Sequence, residues 1–181
     1  MARYTMDMVL EYASIFPENA DMGDMDGANW QQNIAKKGGQ FVVNAYFTSE
    51  EQIAQLQNDG MQMQIMGNDR VREGNEEYGI GKYIKLKRSV PDDIREWKDP
   101  VTGENVNLGG PVKVVDFTQG KEGLRNWSYE EDGELGNGTK AKVQFETYSK
   151  GLGVRLNGVA VTEHVVRTMS ENEDDAIFRV A

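Results

Sequence analysis

The sequence predicts a mostly β protein with one short helix and several long loops, and three observations lead to this prediction. Several segments alternate apolar and polar residues with a period of two, which places their side chains on opposite faces of a strand. Glycine occurs 20 times, which favours turns over long helices. A strong helix-start signal lies at residues 48–52, where Thr or Ser precedes Glu or Gln by the spacing of a capping box.

The N-terminal half is predicted to contain two strands and this helix. The first strand covers residues 4–16 and ends at Pro17, which lacks the backbone donor that a sheet ladder needs. Residues 17–39 are polar, acidic and glycine-containing, so they are predicted to form a loop. The second strand is predicted at residues 41–47, and the short helix follows it and ends near Gly60. The apolar face of the first strand is expected to hold Met6, Met8, Leu10 and Tyr12.

Residues 80–88 form the clearest strand in the middle of the chain. Ile84 and Leu86 share one face, with Arg88 at the end of that row. The other face holds Tyr83, Lys85 and Lys87. An aromatic ring beside two lysines is typical of a platform that stacks a base next to phosphate contacts. The pattern equally fits a solvated outer face with a tyrosine over the strand edge, so both interpretations stay open.

Residues 89–110 and 118–135 are predicted to be long connections on either side of a strand at residues 111–117. Each connection carries a tryptophan, Trp97 in the first and Trp127 in the second. An aromatic residue in such a loop either docks on the core or stacks a base, and the pattern of the sequence fits both roles.

A β-hairpin is predicted over residues 139–161, with its turn at Lys150-Gly151. Ala141, Val143 and Phe145 form the apolar face of its first strand. In the second strand the apolar alternation slips past Asn157-Gly158, which indicates a β-bulge. The outer face of the first strand is expected to present Lys140, Lys142, Gln144, Glu146 and Tyr148.

The charge distribution matters more than the formal net charge of −10. Taken alone, that net charge argues against a nucleic-acid partner, because phosphates attract Lys and Arg. The acidic residues are, however, concentrated at the two ends of the chain and in the loops. Residues 79–90 contain four basic and no acidic side chains, and residues 139–168 are also basic on balance. Two predicted strand regions are therefore suited to an anionic ligand.

The composition argues against several classes of site. The chain has no cysteine, so neither a disulfide framework nor a thiolate metal site can form. His164 is the single histidine, and no phosphate-binding Gly-Lys-Ser/Thr loop is present. We therefore expect no catalytic residues, no metal and no cofactor. No apolar run reaches the length of a membrane span and no signal-peptide pattern is found, so a soluble intracellular protein without a membrane partner is expected.

The order of these elements resembles the single-stranded-DNA-binding proteins of tailed bacteriophages, which are single OB-fold proteins. The likeness is strongest over residues 136–166, where Gly-Asn-Gly-Thr-Lys-Ala-Lys-Val-Gln-Phe leads through a turn to Gly-Val-Arg-Leu-Asn-Gly-Val-Ala-Val. It is weaker over residues 40–90 and poor in the loops. The resemblance implies an OB-fold-like closed β-barrel at residues 1–168, capped by the short helix, and a flexible acidic tail at residues 169–181.

The resemblance also implies a function. Proteins of that family coat single-stranded DNA without sequence specificity during phage DNA replication and recombination, in the cytoplasm of the infected bacterial host. Bases stack on aromatic rings, which tolerates any sequence, and the backbone follows a basic groove. By this resemblance the DNA-binding residues are Tyr46, Tyr83, Lys85, Lys87, Arg88, Trp97, Lys113, Trp127, Lys140, Lys142, Tyr148 and Arg155.

An acidic tail that ends in an aromatic residue recruits replication or recombination proteins in that family and competes for the groove. Asp174, Asp175 and Phe178 resemble such a tail, although Arg179, Val180 and Ala181 follow here and depart from the pattern. A homo-oligomer is compatible with the sequence. The alternative, from a different class, is a non-enzymatic β-barrel virion or protein-interaction module that binds no nucleic acid and whose lysines are only solvated.

Overall fold

The computed structural model describes residues 2–23, 38–91, 98–103 and 109–166, and this part of the chain is mostly β, as the sequence predicted. The predicted acidic tail at residues 169–181 lies outside the described residues. The helices are α1 (Glu50–Asn58) and α2 (Tyr129–Asp132), and short 3-10 turns lie at Pro17–Asn19, Lys121–Gly123 and Ser149–Gly151. The strands are β1 (Ala2–Ser14), β2 (Gln40–Phe47), β3 (Gln64–Ile65), β4 (Asn68–Asp69), β5 (Val71–Glu73), β6 (Lys82–Ser89), β7 (Lys113–Asp116), β8 (Arg125–Asn126), β9 (Thr139–Tyr148) and β10 (Gly153–Glu163).

Eight strands form one mixed sheet in the order β5-β6-β2-β1-β9-β10-β7-β8, and β3 pairs with β4 in a separate small hairpin. Every pairing in the large sheet is antiparallel except that of β7 with β10, which is parallel. The order leaves β5 and β8 as the two edges of the sheet in the described part of the chain. The observed architecture is therefore a large mixed sheet, and no ladder among the described residues closes it into the predicted barrel.

The core lies between the inward faces of the five long strands, β1, β2, β6, β9 and β10. In β1 the predicted alternation of buried and exposed residues fails at one position. Met6, Met8 and Leu10 are buried as predicted, but Tyr12 is 67% exposed. Tyr12 has a φ of 52°, and the pairing of β1 with β2 shifts register between Glu11 and Ser14. This irregularity turns Tyr12 outward, because it changes which residues of the strand face the core.

The predicted hairpin is confirmed as β9 and β10, which pair antiparallel from Gly153 opposite Tyr148. The predicted bulge is also present, since the register shifts between Leu156 and Gly158. Gly151 lies in the hairpin turn with a φ of 87°, and a Cβ there would overlap the carbonyl oxygen of Gly60. Glycine is required at this position, because the turn packs directly against the chain that leaves α1.

The turn is also held by Asp99, which is 1% exposed. Its carboxylate accepts hydrogen bonds from the hydroxyl of Ser149 at 2.6 Å and from the backbone N–H of Val101 at 2.8 Å. Burial acts to raise the pKa of Asp99, but these hydrogen bonds outweigh it and the pKa lies below its usual value. The hairpin turn is thus fastened to residues 98–103 by a buried, ionised carboxylate.

Helix α1 begins where the capping signal predicted. The side-chain oxygen of Gln52 accepts hydrogen bonds from the backbone N–H groups of Thr48 at 2.8 Å and Ser49 at 3.4 Å. The Gln52 amide also donates to the backbone carbonyl of Asp7 at 3.0 Å, which ties the helix start to β1. Leu56 is fully buried on the inner face of the helix. Within the described ranges, neither helix has the length and apolar composition that spanning a bilayer would require.

A salt-bridge cluster joins β7, β8 and α2. Arg125 binds the carboxylate of Asp132 with two hydrogen bonds of 2.8 and 2.9 Å, and it also contacts Asp116 at 3.0 Å. The hydrogen bonds from Arg125 and from the backbone N–H of Ser128 lower the pKa of Asp132 to about 2, from an ordinary value of 3.8. The carboxylate therefore stabilises this corner in its ionised form.

We expect Asp132→Asn to lower the free energy of unfolding at pH 7, and the difference from the wild type to depend on pH. Because the folded-state pKa lies below the unfolded-state value, the contribution of Asp132 is complete above pH 3.8 and disappears as the pH falls to about 2. Urea denaturation across this range measures the difference. Glu130→Gln, on the exposed side of α2, is the control and should change stability little. A deficit for Asp132→Asn that is equally large at pH 2 and pH 7 would contradict this account.

Candidate nucleic-acid interface

The outer face of β5 and β6 brings basic side chains together. In β6, Ile84 and Leu86 are buried while Lys85 and Lys87 are exposed, so the predicted division of this strand into two faces is confirmed. Arg72 of β5 lies directly opposite Tyr83 in the antiparallel ladder. The side chains on this face therefore continue from β6 onto β5, a strand that the sequence did not predict.

Two adjoining cavities extend from this face towards β9 and β10, and we call them together the basic groove. They share Lys87, which lines both of them. The first cavity, of about 270 Å³, is lined by Ile65, Met66, Asn68, Asp69, Arg70, Arg72, Ile84, Lys85 and Lys87. The second cavity, of about 260 Å³, is lined by Gln40, Lys87, Arg88, Ser89, Tyr148, Val154 and Arg155.

The basic groove concentrates positive charge that the neighbouring carboxylates do not neutralise. Burial lowers the pKa of Lys87, and the adjacent charges of Lys85 and Arg72 lower it further, against a smaller opposite effect of Asp21. Burial also lowers the pKa of Arg70. In the described part of the chain, no carboxylate forms an ion pair with Arg70, Arg72, Lys85 or Lys87. An anion in the groove would relieve the repulsion among these cations.

Two tyrosines differ in their position relative to the basic groove. Tyr83 is half-buried, and its ring lies 5.1 Å from that of Tyr46. Tyr148, at the end of β9, is also half-buried, and burial raises its pKa above the usual value. Tyr148 lines the second cavity of the basic groove, whereas Tyr83 lines neither cavity and lies beside the groove, two residues before Lys85 on the same face of β6.

Tyr46 was predicted to contact DNA, but it is 1% exposed. Its hydroxyl donates to the carboxylate of Glu11 at 3.0 Å and accepts from the backbone N–H of Asn75 at 3.0 Å. The rings of Tyr78 and Tyr83 pack against it. Tyr46 therefore packs against Tyr83 and has no face open to a base, since Asn75, Tyr78 and Tyr83 contact it and its side chain is buried.

The lysines of β9 do not belong to the basic groove. Lys142 forms an ion pair with Asp7 of β1 at 3.0 Å, and Lys140 pairs with Glu163 of β10 at 3.5 Å. Lys113 is exposed on β7, where its backbone lies opposite Gly158 in the parallel ladder. Three of the predicted DNA-binding lysines are thus on other strands, and two of them have acidic partners.

Trp127 is not placed in the groove either. The indole N–H of Trp127 donates to the carbonyl of Gly133 at 3.0 Å, and its ring meets His164 edge-on at 4.7 Å. Trp127 therefore docks on the end of the sheet near α2. Trp97 lies outside the described residues, as do the predicted tail residues Asp174, Asp175 and Phe178.

Arg88 and Arg155 line the basic groove, but their guanidinium groups also hold the fold together. Arg88 donates to the backbone carbonyls of Gly110 at 3.0 Å and Leu156 at 3.2 Å. Arg155 donates to the carboxylate of Glu146 at 2.6 Å. The charge of Arg155 is therefore already paired with Glu146, and the hydrogen bonds of both arginines fix β6 and β9 relative to β10.

Sequence reasoning missed Arg70 and Arg72, which contribute half of the unneutralised cations in the groove. They lie in residues 67–79, a polar and glycine-containing stretch that is typical of a loop. The available signal was the alternation of Arg70, Val71 and Arg72, which places both arginines on one side of a short strand.

No family model matches the chain, and no curated protein or solved structure matches it either.

Proposed function

We propose that this protein binds single-stranded DNA without sequence specificity, through the basic groove. The observation that carries the proposal is the cluster of Arg70, Arg72, Lys85 and Lys87, which has no carboxylate ion-pair partner among the described residues. Such a cluster fits the evenly spaced phosphates of a nucleic-acid backbone. Tyr148 in the groove and Tyr83 beside it provide rings on which bases can stack, a contact that is sequence-tolerant.

The acidic net charge is compatible with this proposal because the field near a ligand is set by the nearest charges. Exposed charges separated by more than about 10 Å are largely screened at moderate salt. The net charge of −10 includes the acidic residues of the two chain ends and of loops, whereas the groove itself contains Asp69 as its single carboxylate among the described lining residues. A bound strand would therefore meet a locally positive surface.

We further propose that the five long strands form a closed OB-fold-like barrel. Their order, β6-β2-β1-β9-β10, leaves β6 and β10 as the two strands that would have to meet. Arg88 of β6 reaches the carbonyl of Leu156 and the side chain of Asn157 on β10, both at 3.2 Å, which supports such a closure. In an OB fold the ligand face lies on the second and third strands and the loop between the fourth and fifth, and β2, β6 and residues 149–151 occupy those places.

The cellular role that we propose follows from the resemblance described above. The protein would coat strands exposed during phage DNA replication and recombination, acting by binding rather than catalysis. A tail at residues 169–181 would recruit partner proteins in the host cytoplasm. These parts of the proposal depend on the DNA-binding activity, which should therefore be tested first.

We expect an oligo-dT of about 20 nucleotides to bind with a steep dependence on salt. If the four cations each neutralise one phosphate, affinity should fall roughly 50-fold between about 50 and 200 mM salt. Fluorescence anisotropy of a labelled strand measures this, with duplex DNA and single-stranded RNA of equal length as comparisons. Binding that is absent even at low salt would overturn the proposal and favour a protein-interaction module.

A further inference from the structure

The β3–β4 hairpin projects an apolar side chain beside the basic groove. Met66 is at its tip and is 96% exposed, the largest exposure among the large hydrophobic residues of the described chain. Met66 and Gly67 have φ values of 52° and 82°, as the two central residues of a type I′ turn do. Gly67 suits this conformation, but Met66 does not, because a side chain makes positive φ unfavourable and Asn normally precedes Gly in such turns. Local folding thus gives no reason for a methionine here.

The surroundings of Met66 combine an apolar surface with cations. Ile65 and Met66 line the same cavity of about 270 Å³ as Arg70, Arg72, Lys85 and Lys87. The hairpin is held in place, since the backbone N–H of Gln62, just before β3, donates to the carbonyl of Gly151 at 2.9 Å. The guanidinium of Arg70 also donates to the carbonyl of Leu152, beyond the β9–β10 turn. The β3–β4 hairpin, fixed by these hydrogen bonds, therefore positions Met66 next to the cationic side chains.

We propose that Met66 is the contact for a nucleobase in this groove, while the phosphate of the same or the next nucleotide binds Arg72, Lys85 and Lys87. A thioether makes favourable contacts with flat aromatic rings and adapts to rings of different size. A ligand that satisfies both parts of this cavity must have an aromatic face and an anionic group close together, which describes an unpaired nucleotide. In a duplex the faces of the bases are already stacked, so this subsite selects single strands.

This inference rests on the proposed DNA binding and is tested with Met66→Asn. Asparagine removes the thioether but suits the first central position of a type I′ turn, so the hairpin should keep its conformation and thermal stability. Met66→Leu is the matched control that keeps an apolar side chain. Each variant is titrated with oligo-dT and with an abasic strand of the same length, which keeps the phosphates and lacks the bases.

We expect Met66→Asn to bind oligo-dT about two- to tenfold more weakly than the wild type, and to bind the abasic strand with unchanged affinity. Met66→Leu should bind oligo-dT nearly as well as the wild type. An unchanged affinity of Met66→Asn for oligo-dT would overturn the inference while leaving the groove intact. An equal loss for oligo-dT and the abasic strand would also overturn it, because Met66 would then not act on the base. Failure of the wild type to bind either strand would overturn the DNA-binding proposal itself.

Discussion

Replacing Lys85 and Lys87 together by glutamine is expected to weaken the binding of oligo-dT about 10- to 100-fold near 50 mM salt. Both side chains are exposed on the outer face of β6 and neither has an ion-pair partner among the described residues. Each should therefore be available to a phosphate. Removing two phosphate contacts should also make the slope of log affinity against log salt shallower by about 1.4. Anisotropy titrations at four or five salt concentrations measure both quantities.

The matched control is the double variant Lys140→Gln and Lys142→Gln, which changes the net charge by the same amount. Its lysines pair with Glu163 and Asp7 rather than lining the groove, so affinity should change by no more than about twofold. Equal losses from the two double variants would mean that binding follows the total charge and not the basic groove. If the groove variant alone kept its affinity, the phosphate path would have to lie elsewhere.

Much of the fold could be predicted because its signals are local. Residues close together in the sequence determine three of its features: the two faces of β6, the start of α1 and the bulge after Leu156. Tyr12 was wrongly predicted to share the buried face of β1. The apolar alternation of the preceding residues gives no sign in the sequence of the register shift between Glu11 and Ser14. The two-residue strands β3, β4 and β8 are too short to show any period, and the parallel pairing of β7 with β10 joins segments that are far apart in sequence.

The candidate site was only partly predictable because exposure depends on which strands become neighbours. Lys85 and Lys142 have the same alternating pattern, but β9 lies beside β1, where Asp7 faces Lys142 in the ladder. Tyr46 was predicted to contact DNA and is nevertheless buried, since Asn75 and Tyr83 pack against it. The alternation of apolar and polar residues identifies the outer face of a strand. Whether that face contacts acidic side chains, a covering loop or solvent depends on the register of the neighbouring strands and on the loops.

Glu146 is the clearest case of an outer-face residue that the fold buries, and its removal is expected to have the largest effect on stability. Its carboxylate is 3% exposed and forms ion pairs of 2.6 Å with both Arg3 and Arg155. Breaking a buried ion pair by removing one partner typically costs about 3–5 kcal/mol, because the other charge loses its compensation. We therefore expect Glu146→Ala to lower the melting temperature by about 6–20 °C, measured by circular dichroism.

Two further variants separate the ion cluster from general effects of losing a carboxylate. Glu163→Ala removes a surface partner of Lys140 and should cost less than about 1 kcal/mol. Replacing Glu146 and Arg155 together by methionine should recover much of the loss, because apolar side chains of similar size need no compensating charge. If Glu146→Ala were as stable as Glu163→Ala, the buried cluster would not stabilise the fold.

The pH dependence gives an independent check on the same cluster. Burial acts to raise the pKa of Glu146, but the hydrogen bonds from Arg155 and Arg3 outweigh it, so the folded-state pKa lies below the ordinary value of 4.5. The ionised carboxylate therefore contributes its full stability above pH 4.5, and this contribution is lost as the pH falls through the lower folded-state value. Urea denaturation of Glu146→Gln should accordingly show a deficit against the wild type that is constant from pH 7 to about 5 and shrinks in stronger acid. A deficit that grew on acidification would mean that burial, and not the two arginines, dominates the titration of this carboxyl group.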